Sequence, residues 1–202
     1  KPWAIGKLHW APLWLKDEYE LPKGHQAVWL DPGMAFGTGN HGTTRLCLEQ
    51  LIAFKESGHS EKACRLVDAG CGSGILAISA AKLGFENVKG FDIDADAVRI
   101  AAENADLNDV GKIEFAVCGL DEGLPEAGED CLLANILANV LVANSERLVR
   151  AVAPGGWLIL SGILGTEVEQ VADHFRGCGK WSAVRTDARD EWASVTLVKP
   201  PR

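Results

Sequence analysis

The feature that most limits the possible folds is a short apolar run that ends in a glycine-rich turn and leads directly into an apolar helix. Residues 66–69 (Leu-Val-Asp-Ala) are typical of a buried strand, and residues 75–83 of a helix that Gly84 ends. Between them lies Gly70-Cys71-Gly72-Ser73-Gly74. Glycines at such a junction permit a tight turn and let a ligand approach the backbone closely.

Strands and helices continue to alternate along the rest of the chain. Further strands are predicted at residues 88–93, 113–117, 130–134, 157–161, 181–186 and 192–198, and further helices at 43–56, 95–107, 140–152 and 167–175. A short polar turn joins the last two strands and predicts an antiparallel hairpin. The pattern therefore predicts an α/β fold, a Rossmann-like doubly wound, mostly parallel seven-stranded sheet that ends in an antiparallel hairpin.

Several helix boundaries are predicted from local signals. Thr43 and Thr44 are candidate N-caps of the helix over 43–56, and Asp94 of the helix over 95–107. The sequence Pro154-Gly155-Gly156 is expected to end the helix over 140–152.

The first 40 residues differ from the rest of the chain. Four of the seven tryptophans lie there, and prolines recur every ten residues, at positions 2, 12, 22 and 32. Such prolines disfavour long helices and predict an extended arm with short strands. Because tryptophan side chains are large and apolar, the arm is expected to pack against another surface.

An acidic residue follows the glycine turn at an informative distance. Asp92 ends the next predicted strand, 22 residues after Gly70. At the carboxyl ends of the strands of a doubly wound sheet, a carboxylate at this spacing can accept hydrogen bonds from both hydroxyls of a ribose. A dinucleotide site would have a third glycine at position 75, where this chain has Ile75, so its glycines follow G-x-G-x-G and not G-x-G-x-x-G. The turn and the acid predict a nucleoside ligand, and the glycine spacing disfavours a dinucleotide.

A second polar signal stands at the end of the strand over 130–134. Asn135-Ile136-Leu137 follows it directly, and an asparagine there can direct its amide oxygen into the ligand crevice. The segment from Leu30 to Thr44 is rich in glycine, precedes a helix and can close over a bound ligand. His41 within it is, taken alone, more often a structural histidine than a catalytic one.

Charge and composition exclude several classes of protein. The formal net charge of −8 disfavours direct binding to nucleic acid and suits a basic partner. No apolar stretch is long enough to span a membrane. The six cysteines form no CxxC pair and the five histidines show no metal-ligand spacing, so we expect free thiols, no metal and a cytoplasmic location.

Together these motifs resemble the ribosomal protein L11 methyltransferase family of class I S-adenosylmethionine-dependent methyltransferases. The resemblance runs over essentially the whole chain, and its most specific part is the loop from Asp31 to Thr44 with the residues after it. The glycine turn, Asp92-Ile93-Asp94, Asn135-Ile136-Leu137 and Glu191-Trp192 add to it.

The resemblance implies a protein N-methyltransferase that uses S-adenosylmethionine and acts on lysine and N-terminal amines of a basic large-subunit ribosomal protein. It implies cofactor contacts at Thr44, Gly70, Gly72, Asp92 and Asn135, with Asn135 also orienting the amine. It divides the chain into an arm with a cofactor-covering loop over 1–42 and a catalytic domain over 43–202. The family's small N-terminal substrate-recognition domain is then expected to be absent from this chain.

The chain departs from the family pattern near the loop. The family usually has Thr-His-Pro around His41, whereas this chain has Asn40-His41-Gly42. Three alternatives to this function remain open at this point. They are a methyltransferase of the same fold that acts on another protein or on a small-molecule amine, a dinucleotide-dependent oxidoreductase, and a non-catalytic adenosylmethionine-binding module.

Overall fold

The computed structural model describes residues 1–31 and 42–202 of the chain. Residues 32–41, which include His41 and most of the predicted cofactor-covering loop, lie outside the described residues. A small sheet is formed by three strands of the arm, β1 (Trp3–Ile5), β2 (Leu8–Pro12) and β3 (Gln26–Leu30). The strand β2 pairs antiparallel with β1 and parallel with β3, so the prediction of an extended arm with short strands is confirmed.

The rest of the described chain alternates strands with helices, as predicted. The strands are β4 (Arg65–Ala69), β5 (Asn87–Asp92), β6 (Glu114–Val117), β7 (Glu129–Asn135), β8 (Val152–Leu164), β9 (Ala183–Arg189) and β10 (Trp192–Val198). The helices are α1 (Gly42–Glu56), α2 (Ile75–Lys82), α3 (Ala95–Leu107), α4 (Leu120–Gly123), α5 (Ala138–Ala143), α6 (Ser145–Ala151) and α7 (Val168–Gly177).

The seven strands β4–β10 form one sheet in the order β6-β5-β4-β7-β8-β10-β9. The first five are parallel, and β10 pairs antiparallel with both β8 and β9. The predicted fold class is confirmed, including the closing hairpin. The strand order reverses between β4 and β7, and at such a point a doubly wound sheet opens a crevice at its carboxyl edge.

The core lies on both faces of this sheet because alternate residues of a strand point to opposite sides. In β4, Leu66 belongs to a buried cluster on one face of the sheet that also contains Phe54 of α1 and residues of α2. Its neighbour Val67 belongs to a second cluster on the other face, which contains Leu141 of α5 and Phe175 of α7. Burial on both sides explains why the central strands are apolar along their length.

The predicted helix over 140–152 is wrong in its bounds and its continuity. The structure has two short helices, α5 and α6, which meet at Asn144 with φ −113° and ψ 16°. The side-chain amide of Asn144 donates to the carbonyl of Val140 at 2.9 Å and so satisfies a group at the end of α5. Residues 154–156 do not end a helix but belong to β8, where the N–H of Gly155 donates to the carbonyl of Pro200 at 3.0 Å.

The two threonines predicted as N-caps occupy different positions. Because α1 begins at Gly42, Thr43 and Thr44 lie within its first turn and both are buried. Asp94 does cap α3, since its carboxylate accepts the N–H of Asp96 at 2.9 Å. The ninth strand begins two residues later than predicted, at Ala183, and extends to Arg189.

The packing expected of the arm tryptophans holds for Trp10 and not for Trp14. The Trp10 side chain is fully buried, stacks on Trp3 with ring centroids 4.1 Å apart, and donates its indole N–H to the Ser79 hydroxyl of α2 at 3.0 Å. Trp14 is 63% exposed. The arm is therefore anchored to the helix that follows the glycine turn through Trp10.

Trp10→Phe should lower the free energy of unfolding by about 1–3 kcal/mol, because it removes a buried hydrogen bond and part of a packed ring. Trp14→Phe, the matched change at the exposed tryptophan, should alter it by less than about 0.5 kcal/mol. Urea denaturation of both variants checks the difference. Equal losses would mean that the arm is not held by Trp10.

Candidate active site

The glycine turn after β4 takes a shape that other residues adopt only with strain. Gly70, Gly72 and Gly74 have φ angles of +71°, +52° and +80°. The N–H groups of Gly70 and Cys71 both donate to the carbonyl of Phe91 at 2.9 Å, which ties the turn to the end of β5. A Cβ atom at Gly72 would meet no atom within 4 Å, so the turn presents open backbone to the crevice.

Asp92 at the end of β5 is held by the backbone on both of its carboxylate oxygens. One oxygen accepts the N–H of Gly72 and the other that of Asp94, each at 3.0 Å. Each carboxylate oxygen can accept more than one hydrogen bond, so both remain able to accept a ligand hydroxyl. The half-buried carboxylate is thereby fixed beside the glycine turn.

Asn135 at the end of β7 contacts the beginning of α1. Its side-chain nitrogen donates to the Thr43 hydroxyl at 3.3 Å, while the Ser161 hydroxyl of β8 donates to the Thr43 carbonyl at 3.0 Å. This use of the amide nitrogen leaves the amide oxygen of Asn135 available as an acceptor. Thr44, next in α1, is buried and lines the same crevice.

The crevice has two adjoining parts, which share Gly70, Asn135, Ile136 and Leu137. One part, of about 550 Å³, is lined by Thr43, Thr44, Asp68, Gly72, Gly162 and Trp192 as well. The other part, of about 770 Å³, is lined by Asp92, Ile93, Cys118, Gly119 and Asp121 among others. All five residues predicted as site residues, Thr44, Gly70, Gly72, Asp92 and Asn135, therefore line this crevice.

Asp68 is a polar residue of the crevice that the sequence analysis did not select. Its side chain is 1% exposed, and one carboxylate oxygen accepts the N–H of Ala77 at 3.2 Å. The other oxygen has no hydrogen-bond partner among the described residues. Burial raises the pKa of Asp68 to about 7, and the charge of Asp92 adds to the rise. An acid inside an otherwise apolar strand was the available signal.

Two further residues of the crevice were missed because their roles depend on distant contacts. Gly162 in β8 has φ +81°, and a Cβ atom there would overlap the backbone of Ile136. Trp192, the first residue of β10, lines the same part of the crevice as Asn135.

The part of the crevice that contains Asp92 has an apolar wall. Ile93, which follows Asp92, is 79% exposed and forms this wall. The crevice is thus apolar on its walls, with a few polar groups that converge on it.

Residues 1–31 and 42–202 contain neither a metal site nor a membrane-spanning helix. No group of three or more His, Cys, Asp or Glu side chains there is arranged to hold a metal ion. No helix in these ranges is both long and apolar enough to cross a bilayer. All six cysteines are free thiols, and burial raises the pKa of Cys71, which lines the crevice.

The strand order, the G-x-G-x-G turn and the acid at the end of the next strand define a Rossmann-like fold of the methyltransferase type. A family model described as "Ribosomal protein L11 methyltransferase (PrmA)" matches residues 1–200. The chain belongs to this family.

Individual relatives agree with the family match. A ribosomal protein L11 methyltransferase from Citrifermentans bemidjiense is 42% identical over 99% of this chain and 64% of its own length. Another from Dechloromonas aromatica is 46% identical over 85% of this chain and 54% of its own length. The chain therefore spans less than two thirds of the length of these curated relatives.

Solved structures give the same fold. A ribosomal protein L11 methylase from Lactobacillus delbrueckii subsp. bulgaricus superposes with a TM-score of 0.81 at 29% identity, over 96% of this chain and 95% of that one. A SAM-dependent O-methyltransferase from Thermotoga maritima superposes with a TM-score of 0.66 at 13% identity, over 77% of this chain and 65% of that one, and supports the fold alone.

Proposed function

We propose that this chain binds S-adenosylmethionine and transfers its methyl group to amines of ribosomal protein L11, at lysine side chains and at the N-terminus. The observation that carries the proposal is the meeting of Asp92, the glycine turn and Asn135 in one crevice at the switch point of the sheet. Membership of the family and the names of the relatives supply the substrate.

The polar groups that line the crevice fit S-adenosylmethionine. Asp92 is placed to accept the two ribose hydroxyls, and Gly70 and Gly72 let the ligand lie against the backbone. One buried oxygen of Asp68 has no hydrogen-bond partner among residues 1–31 and 42–202 and suits a cation, which matches the ammonium group at the methionine end of this cofactor. Thr44 lines the same part of the crevice as Asp68, and we propose it as a further contact of the cofactor there.

Bound in this crevice, the cofactor supplies a methyl group activated by a sulfonium. The substrate amine must be neutral to react, and deprotonating an amine of pKa about 10.4 costs about 4.6 kcal/mol at pH 7. A low-dielectric crevice and a neighbouring cation both lower that pKa. In the transfer, the lone pair of the amine would form the new bond to carbon, the electrons of the broken bond would stay on sulfur, and the amine proton would go to solvent.

The contribution of the protein to the reaction is to align the substrate amine with the methyl group. The side-chain oxygen of Asn135 and the carbonyl of Ile136 accept N–H groups of the amine and direct its lone pair along the line of attack. The side chains of Trp192 and Leu137 exclude water from the space beside the Asn135 oxygen and the Ile136 carbonyl. No dedicated general base is assigned.

The acidic balance of the chain favours a basic substrate. With 28 acidic against 20 basic side chains, the protein attracts a basic ribosomal protein and speeds their encounter. The division into an arm over 1–42 and a catalytic domain over 43–202 remains a prediction, as does the cytoplasmic location.

Incubation with radiolabelled S-adenosylmethionine and purified L11, with other ribosomal proteins and small amines in parallel, tests the proposal. We expect label on L11 that is lost with Asn135→Ala. Label only on another protein or on a small amine would favour a methyltransferase of the same fold with a different substrate. Cofactor binding without transfer to any acceptor would instead identify a binding module.

Asp92→Ala should weaken S-adenosylmethionine binding about tenfold or more, because two charge-assisted hydrogen bonds to the ribose are lost. Calorimetry measures the change. Asp96→Ala is the matched control, since it removes an exposed carboxylate on α3 that does not line the crevice. An affinity equal to the wild type in the Asp92 variant would place the ribose elsewhere.

A further inference from the structure

Helix α3 carries two buried asparagines one turn apart. Asn104 is 8% exposed and Asn108, which caps the end of the helix, is 1% exposed. Both side chains point away from solvent and form hydrogen bonds with other parts of the chain. Neither lines the crevice as it is described above.

Asn108 binds the strand β3 of the arm as a neighbouring strand would. Its side-chain oxygen accepts the N–H of Trp29 at 2.7 Å, and its nitrogen donates to the Trp29 carbonyl at 3.0 Å. The same nitrogen lies 2.9 Å from the carbonyl of Asn104. Asn108 therefore satisfies both backbone groups of one strand residue and fixes β3 to α3.

Asn104 binds the glycine turn. Its side-chain nitrogen donates to the carbonyl of Ser73 at 2.9 Å. The adjacent residue Gly72 donates its N–H to Asp92 at 3.0 Å. The turn is thus held by Asp92 on one side and by α3 on the other.

The contact between α3 and the turn is close. A Cβ atom at Gly74 would lie 3.0 Å from the Cβ of Ala101, one turn before Asn104 on the helix. A cavity of only about 10 Å³ remains where Asn104, Ser73 and residues 28–31 meet. Strand, turn and helix therefore meet at one point, with Asn104 and Asn108 linking them.

We propose that Asn104 and Asn108 are positioning residues for the cofactor site. They tie the glycine turn to the arm through α3, and so hold Gly72 and Asp92 in the arrangement that receives the nucleoside. The expected effect on cofactor binding rests on the proposed function, whereas the expected effect on the arrangement of the glycine turn does not. Loss of the Asn104 side chain removes the bond from α3 to the turn, and loss of the Asn108 side chain frees β3 from α3, although neither asparagine lines the crevice.

Calorimetry with S-adenosylmethionine on Asn104→Ala and Asn108→Ala tests the proposal. We expect the Kd to rise about tenfold in each folded variant. The KM for the cofactor should rise in parallel, while kcat at saturating cofactor stays within about twofold, because the aligning groups at Asn135 are intact.

Asn87→Ala is the matched control. Asn87 begins β5, at the opposite edge of the sheet from the crevice, and its side-chain nitrogen likewise donates to a backbone carbonyl, that of Lys62, at 2.8 Å. This variant also loses a bond from a side-chain amide to a backbone carbonyl, but at an exposed position away from the turn, so its Kd should match the wild type. A tenfold rise in Kd for Asn87→Ala as well would show a general effect of destabilisation and would overturn the proposal.

Amide hydrogen exchange, measured without any ligand, separates the positioning role of the asparagines from the proposed function of the chain. In Asn104→Ala the amide of Gly72 should exchange at least tenfold faster than in the wild type, and in Asn108→Ala the amide of Trp29 should do so. A wild type that does not bind S-adenosylmethionine would overturn the proposed function, and the exchange rates would still decide whether the asparagines hold the turn. Unchanged exchange at Gly72, or an unchanged Kd in a folded Asn104→Ala protein, overturns the positioning role.

Discussion

Raising the pH from 5 to 8 should lower the free energy of unfolding of the ligand-free protein by about 3 kcal/mol through Asp68 alone. Burial raises the pKa of Asp68 to about 7 in the folded protein, against about 3.9 in the unfolded chain. When the pKa of a carboxyl group is higher in the folded protein than in the unfolded chain, its contribution to stability is fully present at pH values below the unfolded pKa. That stability is lost as the pH rises from about 4 to about 7, because over this range the unfolded chain gives up the Asp68 proton while the folded protein still holds it.

Asp68→Asn should remove most of this pH dependence, since its amide oxygen can still accept the N–H of Ala77 and no charge develops. Urea denaturation between pH 5 and 8 measures it. A residual slope is expected from Glu129, whose pKa burial also raises. The exposed Asp17→Asn is the control and should keep the wild-type profile. An Asp68→Asn variant with the full wild-type slope would mean that Asp68 stays ionised over this range.

The central part of the fold was predictable because its signals are local. The glycine turn, Asp92 and Asn135 each follow a buried strand directly, and the alternation of elements fixes the edge at which these residues meet. The helix over 95–107 was predicted with its correct ends because Asp94 is a strong N-cap. Local chemistry thus determined both the class of fold and most of the crevice.

The elements that were not predicted correctly depend on hydrogen bonds that the sequence pattern does not show. Asn144 fits a continuous helical pattern, and only its bond to the Val140 carbonyl reveals the break between α5 and α6. Gly155 looks like the end of a helix until the partner of its N–H, the carbonyl of Pro200, is known. Distant pairing overrides local preference at Gly155, whereas the break at Asn144 is accompanied by a bond to a residue only four positions earlier.

The difference between local sequence signals and contacts in the folded chain also separates the site residues that were predicted from those that were missed. Asp68 was visible in the sequence, but its complete burial and its unpartnered oxygen were not. Asn104 and Asn108 resemble ordinary polar positions of a helix, and their roles follow only from the partners at Ser73 and Trp29. A sequence indicates which groups can act, whereas their burial and partners are properties of the fold.

Asn135→Ala should lower kcat for methylation of L11 by about a hundredfold while it raises the Kd for S-adenosylmethionine by less than tenfold. In the proposed mechanism the amide oxygen aligns the amine most strongly as the transition state forms, so its loss should affect the rate more than binding. Removing one polar group that is placed for a transition state commonly costs two to three orders of magnitude in rate. Single-turnover kinetics and calorimetry on the same preparation measure the two quantities.

The Asn135 side chain also binds Thr43, so the variant must be shown to be folded by its melting curve before its rate is interpreted. Asn139→Ala is the matched control, because Asn139 is an exposed asparagine of α5 that does not line the crevice, and it should keep the wild-type rate. Thr43→Val separates the two roles of Asn135. It removes the hydroxyl that Asn135 binds but keeps the amide oxygen, so its kcat should fall by less than tenfold. A loss in Thr43→Val as large as that in Asn135→Ala would mean that Asn135 acts by holding α1, and a wild-type rate in a folded Asn135→Ala protein would exclude any part for it in aligning the amine.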